Sequence, residues 1–154
     1  MSKSILDNTK KLLGIEASYD HFDMDILLHI NTAIATLNQV GVGPAEGFQV
    51  EDNSSNWEDL LGTDLRFAMA KTYIYDKVRL SFDPPGTSFA ISAIQERIKE
   101  SEWRLSVLVD ELQAKAEVDD AIVWVIRDQE GFPTDADSGE LGIDPVSGNV
   151  WRKL

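Results

Sequence analysis

The chain has 154 residues, of which 43% are hydrophobic, which suits one ordinary domain with its own core and argues against disorder throughout. Fourteen Lys and Arg stand against 27 Asp and Glu, a net charge of -13 that disfavours tight binding to DNA phosphate or to anionic lipid. The absence of cysteine excludes disulfide staples, thiolate chemistry, Cys-ligated zinc and iron–sulfur clusters.

The opening Met1-Ser2-Lys3-Ser4-Ile5-Leu6 lacks the apolar run of a signal peptide, and no stretch approaches the roughly 20 apolar residues of a membrane helix. A soluble protein made in the cytoplasm, without membrane contact, is therefore expected. Residues 4 to 13 carry Ile5, Leu6, Leu12 and Leu13 with Lys10 and Lys11 between them, and Gly14 stands where a helix would stop. Phe22, Ile26, Ile30, Ala33, Leu37 and Val40 recur at spacings of three and four before Gly41, which predicts a helix over 22–40. Met24, Leu27, Leu28 and Ile34 widen its stripe, so this helix is expected to be largely surrounded by its own fold or by neighbours.

Three glycines and Pro44 between Gly41 and Asn56 predict a long loop, with Phe48 and Val50 alternating as in a very short strand. Asn56 is a suitable N-cap for a turn or two that buries Trp57 and Leu60-Leu61. Phe67, Ala70, Ile74, Val78 and Phe82 then predict one helix over 64–82. Asp83-Pro84-Pro85-Gly86 must break it, and Thr87 or Ser88 can cap the next. In that last helix Ile91, Ile98, Leu105 and Leu112 are one heptad apart, with Ile94 and Leu108 between, and Ser101 is the weak position of the seam. Glu100 and Arg104 can pair on its wet side.

Beyond Ala116 the character changes. Nine acids and a single base, Arg127, lie between Glu117 and Asp144. The β-branched run Ala121-Ile122-Val123-Trp124-Val125-Ile126 reads as a strand. Leu141-Gly142-Ile143 and Asn149-Val150-Trp151-Arg152 flank Asp144-Pro145-Val146-Ser147-Gly148, as in a terminal β-hairpin. The expected fold is thus mainly α: a small helical bundle with long antiparallel helices over residues 1–116, and an acidic β-rich appendage with a small hairpin over 117–154.

Chemistry is sparse along this chain. His21, Asp25 and His29 could be read as a metal cluster of a small hydrolase, but acids in a helix's first turn favour its dipole, and His29 lies among apolar residues as a half-buried histidine does. Asp135-Ala136-Asp137-Ser138-Gly139-Glu140 has alternating carboxylates yet fails the calcium-loop order, with Gly139 fifth and no glutamate at the twelfth place. Walker, Rossmann and G-x-S-x-G patterns are missing, and Pro44 spoils Gly41-Val42-Gly43 as a phosphate cradle. No catalytic residue, metal or cofactor is expected. Trp103 falls on the side of its helix away from the heptad seam, where it either packs on another helix of the fold or meets a neighbouring copy. The scarce bases Lys71, Lys77, Arg79, Arg97 and Arg104 are the natural candidates for pairs with neighbours.

Phe22-Asp23-Met24-Asp25-Ile26 leads into His29-Ile30-Asn31 and then Leu37-Asn38-Gln39-Val40-Gly41-Val42-Gly43-Pro44. Lys71-Thr72-Tyr73-Ile74-Tyr75, Leu80-Ser81-Phe82-Asp83-Pro84-Pro85 and Glu102-Trp103-Arg104-Leu105 follow. In this order the phrases resemble the head-to-tail connector (adaptor, or head-completion) proteins of tailed bacteriophages over about residues 1–113. The resemblance implies a non-enzymatic virion protein of the neck. Such a subunit forms a ring homo-oligomer, commonly dodecameric, beneath the portal protein, and joins it to a stopper or tail-completion protein while DNA passes through without specific binding. On this reading Trp103, Arg97, Arg104, Lys77 and Arg79 are candidate inter-subunit contacts. Trp124, Val150, Trp151 and Arg152 are candidates for docking on portal or on a neighbour, in a tail that does not follow the usual connector ending. The alternative is a helical regulatory or chaperone-like binding module that is not retained in the particle.

Overall fold

The computed structural model describes residues 3–127, 141–143 and 150–152, with side chains to residue 118. The chain divides into two compact units, residues 1–109 and 110–154.

In the first unit, α1 (Ile5–Leu12) starts at Ser4, whose hydroxyl accepts from the Asp7 N–H at 3.2 Å, and it ends before Gly14 with φ 79°. That left-handed turn is open to glycine at little cost. α2 (Asp23–Gln39) buries Ile26, Ile30, Ala33, Ile34 and Leu37. These spacings of three and four place them on one face, and that face packs on α4 (Met69–Phe82), which presents Ala70, Tyr73, Ile74 and Val78. Each fully buried Ile or Leu contributes about 1.5–3 kcal/mol of apolar transfer, so this pairing is the main source of cohesion.

Between them the long loop has no strand at Phe48 to Val50. Instead the Asn31 side chain does what a neighbouring strand would. Its amide donates to the Val50 carbonyl at 2.9 Å and its oxygen accepts from the Val50 N–H at 2.8 Å. Asn38, seven residues on, donates to the Pro44 carbonyl at 2.7 Å. Two asparagines two turns apart on one α2 face thus tie the loop down, and Val42 and Val50 are buried. The loop then leads into α3 (Trp57–Leu61), where the Asp59 carboxylate accepts from the Asn56 N–H at 3.0 Å. Its start is pinned to α1, since the Ile5 N–H donates to the Ser55 carbonyl at 3.0 Å and the Trp57 N–H to the Lys3 carbonyl at 3.2 Å.

The single helix expected over 64–82 is divided: Leu65–Ala68 form a 3-10 turn capped by Asp64, and α4 begins at Met69. After the Asp83-Pro84-Pro85-Gly86 corner, α5 (Ser88–Arg127) is capped by Thr87, whose hydroxyl accepts from the Ala90 N–H at 3.3 Å. Its buried residues in the first unit are Ile98, Ser101, Leu105 and Val109. The seam begins as a heptad and then drifts to Val109 in place of Leu108, because a straight helix turns every 3.6 residues and not every 3.5. Ser101 is buried after all, where a small side chain lets the helix come close.

In the second unit the strand expected at Ala121–Ile126 is not formed, for those residues continue α5. No glycine or proline interrupts residues 88–130. Once a helix is nucleated, extending it through β-branched residues costs only tenths of a kcal/mol each, roughly up to 0.7. Leu141–Ile143 (β1) and Val150–Arg152 (β2) are short extended stretches with Gly142 opposite Trp151. Residues 144–149, which the expected hairpin needs for its reversal, lie outside the described residues, as does the Asp135–Glu140 segment.

Candidate functional site

The polar groups of the first unit gather where α5 meets α4. Asp76 shares a face of α4 with Tyr73 and Leu80, and its side chain is wholly buried. Arg97 of α5 reaches it as a fork, with Nε donating to Oδ2 at 2.6 Å and a terminal nitrogen to Oδ1. The hydrogen bonds from Arg97 hold the guanidinium protonated well above the ordinary arginine range, against a smaller opposing effect of burial. One turn along α5, Glu102 accepts from the Tyr73 hydroxyl at 3.3 Å. Burial, with the Glu102 charge adding to it, pushes the Tyr73 phenol up to about 12. A buried carboxyl group with two hydrogen bonds from one guanidinium is tolerated in a core because its lone pairs are occupied. These groups orient α5 on α4.

A second buried charge was hidden in α1. Lys10 was expected among the polar residues of an amphipathic helix, but it is buried. Its Nζ donates to the Ala17 carbonyl at 2.9 Å and forms an ion pair with Asp23 Oδ1 at 2.6 Å. The long stem replaces an apolar residue while the tip holds the α1–α2 connection.

Each base nominated for contacts with neighbours has a partner in its own chain. Arg97 holds Asp76, Arg104 Nε donates to Glu100 at 2.9 Å, Arg79 holds Asp83, and Lys77 lies 5.5 Å from the centre of the Tyr73 ring. Lys71 sits likewise 5.5 Å over Trp57. The pairs at Arg104 and Arg79 are solvated and worth under about 1 kcal/mol each. Trp103 does not pack inside the fold. It is 65% exposed and borders a shallow depression with Val40, Lys99, Glu102 and Ser106. Trp124 is carried on α5, and Val150, Trp151 and Arg152 on β2, but their side chains are beyond those described.

The histidines do not converge. His21 is exposed with its ring 4.9 Å from Phe22, in a row of rings that runs from Tyr19 through Phe22 to Phe82, and His29 is half-buried. Among the described residues no group of three His, Cys, Asp or Glu could hold a metal ion. None of the described helices is long and apolar enough to cross a membrane.

What this surface offers is apolar side chains in helical register. On α2, Met24 is 86% and Leu28 64% exposed, one turn apart, while Trp103 and Val107 repeat the arrangement on α5. Met24 and Leu28 were read as widening a surrounded stripe. Within the subunit they are uncovered.

Compared with models of protein families, the chain matches the one described as Phage connector protein over residues 5–111. No curated protein and no solved structure matches it.

Proposed function

The chain belongs to the phage connector protein family, and from that membership we propose that it is the adaptor of a tailed-phage neck, a ring beneath the portal that joins the capsid to a stopper or tail-completion protein. Membership implies a structural protein of the virion that contacts other head or tail proteins. The single observation that carries the finer reading is the family match across α1 to α5, the segment that holds the whole described core. The surface supports it. Apolar side chains stand exposed in pairs, as in a subunit that is completed by others. The acidic balance of the chain suits a passage through which DNA slides, because such a wall repels phosphate.

In this reading the protein acts by shape and surface, without catalysis. The acidic C-terminal segment is a hairpin appendage beyond α5 that docks on portal or on a neighbouring copy. The antiparallel register of Leu141 with Arg152 is what favours it.

Mixing the purified chain with a portal ring and measuring mass tests the adaptor role. A ring of the chain bound to portal, and its presence in finished particles, is the expected result. A strict monomer that ignores portal and is missing from particles would overturn the reading in favour of a transient binding module. Truncation after Ala116 that leaves portal attachment intact would sink the role given to the tail alone.

A further inference from the structure

The positive charge of the first unit is already committed inside its own chain. Residues 1–109 hold ten bases and sixteen acids. Two of the bases, Lys10 and Arg97, hold Asp23 and Asp76. Five more, Lys3, Arg66, Arg79, Lys99 and Arg104, are paired with Glu58, Asp64, Asp83, Glu96 and Glu100. Lys71 and Lys77 stand over the rings of Trp57 and Tyr73. Of the ten, that leaves Lys11.

The acids are not used up in return. Asp20, Asp25, Glu46 and Glu51 are exposed and form no ion pair among the described residues. Residues 110–154 add eleven acids against four bases, so both units carry a negative excess. Trading a surface pair such as Arg104–Glu100 for a pair with a neighbouring copy leaves the first acid unmatched, so the exchange brings no net attraction. Two copies of this chain therefore meet as like charges. Screening decides how far that repulsion reaches: the Debye length is about 30 Å at 0.01 M salt and about 3 Å at 1 M. A unit of this size has a radius of gyration of about 13 Å, so at 0.01 M every surface acid of one copy is felt by the next.

We propose that the contact between copies of this chain forms against a net electrostatic repulsion and is controlled by ionic strength, with dissolved cations acting by screening and not at a binding site. Low ionic strength keeps subunits apart, and salt lets them close. The proposal deepens the ring reading given above and rests on it. It also reverses the sign expected of an interface built on the scarce bases, which salt would weaken.

Sedimentation velocity of the full chain from about 0.01 to 1 M sodium chloride tests it. Self-association is expected to tighten by on the order of tenfold or more across that range. Choline chloride, whose cation carboxylates do not coordinate, should reproduce the curve at equal ionic strength. The variant Asp20→Asn/Glu46→Gln/Glu51→Gln, which removes half of the first unit's excess, should associate more tightly than wild type at 0.01 M and show a flatter salt dependence. Association that weakens with salt, or does not change, would overturn the proposal and leave the ring reading in place. An effect of sodium that choline does not reproduce would overturn it in favour of a bound cation, and an unaltered salt dependence in the triple variant would assign the salt effect to apolar contacts instead. A chain that stays monomeric at every salt concentration and on a portal ring would sink the ring reading itself, and this proposal with it.

Discussion

α2 and α5 both pack on α4, but by different means. On α2 every buried residue is apolar, Ile26, Ile30, Ala33, Ile34 and Leu37, and α4 meets it with Ala70, Ile74 and Val78 among its buried residues. On α5, the apolar residues Ile98, Leu105 and Val109 are interleaved with Ser101, Arg97 and Glu102, the last two bound to Asp76 and Tyr73. An apolar face supplies cohesion but tolerates sliding, whereas a buried carboxylate must find its one partner. α5 is thus placed by chemistry that penalises every other register.

Ile30→Ala probes the apolar contact and should produce the largest loss, about 2–5 kcal/mol in urea unfolding, because a fully buried side chain leaves a cavity in close-packed surroundings. Arg97→Ala tests the polar contact. It strands the buried Asp76 carboxylate and should cost about 3 kcal/mol, and Arg97→Met with Asp76→Leu should recover most of that. Equal losses in the single and double variants would show that the ion pair does not set the register.

Gly41→Ala strikes where the end of α2 approaches α5. The φ of 87° is strained for any L side chain, and a Cβ there would lie 2.7 Å from Val109 Cγ1. A loss of about 2 kcal/mol is expected, partly relieved by Val109→Ala.

The smallest effect belongs to Tyr73. Its phenol has a folded pKa of about 12 against an ordinary value of 10.0, so the folded state holds this proton more tightly. The resulting stability is fully present below pH 10 and is lost as pH rises through 10 to 12. Alkaline unfolding curves of Tyr73→Phe should lack this component, and an unchanged slope would refute the assignment.

Much of the fold was legible because periodic burial is a local property of the chain. The stripe of α2, the Thr87 cap after Pro84-Pro85 and the Glu100–Arg104 pair all follow from spacing and residue type. Ala121–Ile126 misled because β-branched content outweighed the lack of any helix breaker from 88 to 130, and continuation of α5 wins there. Of the site, the exposure of Trp103 was anticipated as one of two outcomes. The uncovered state of Met24 and Leu28 was not, since hydrophobicity alone does not tell a face that meets its own core from one that awaits a neighbour.

The order of the helices, the break at Asp83-Pro84-Pro85-Gly86 and the absence of thiol chemistry were determined by the sequence by itself, through rules that act within a few residues. Only the tertiary structure decided that Lys10 and Asp76 are interior charges, that Asn31 stands in for a strand beside Val50, and that Arg97 is spent inside its own subunit. Each of these depends on a partner 13 to 21 residues away or on the packing around it, and the cost of burying a charge or a backbone amide is set by what lies opposite once the chain has closed.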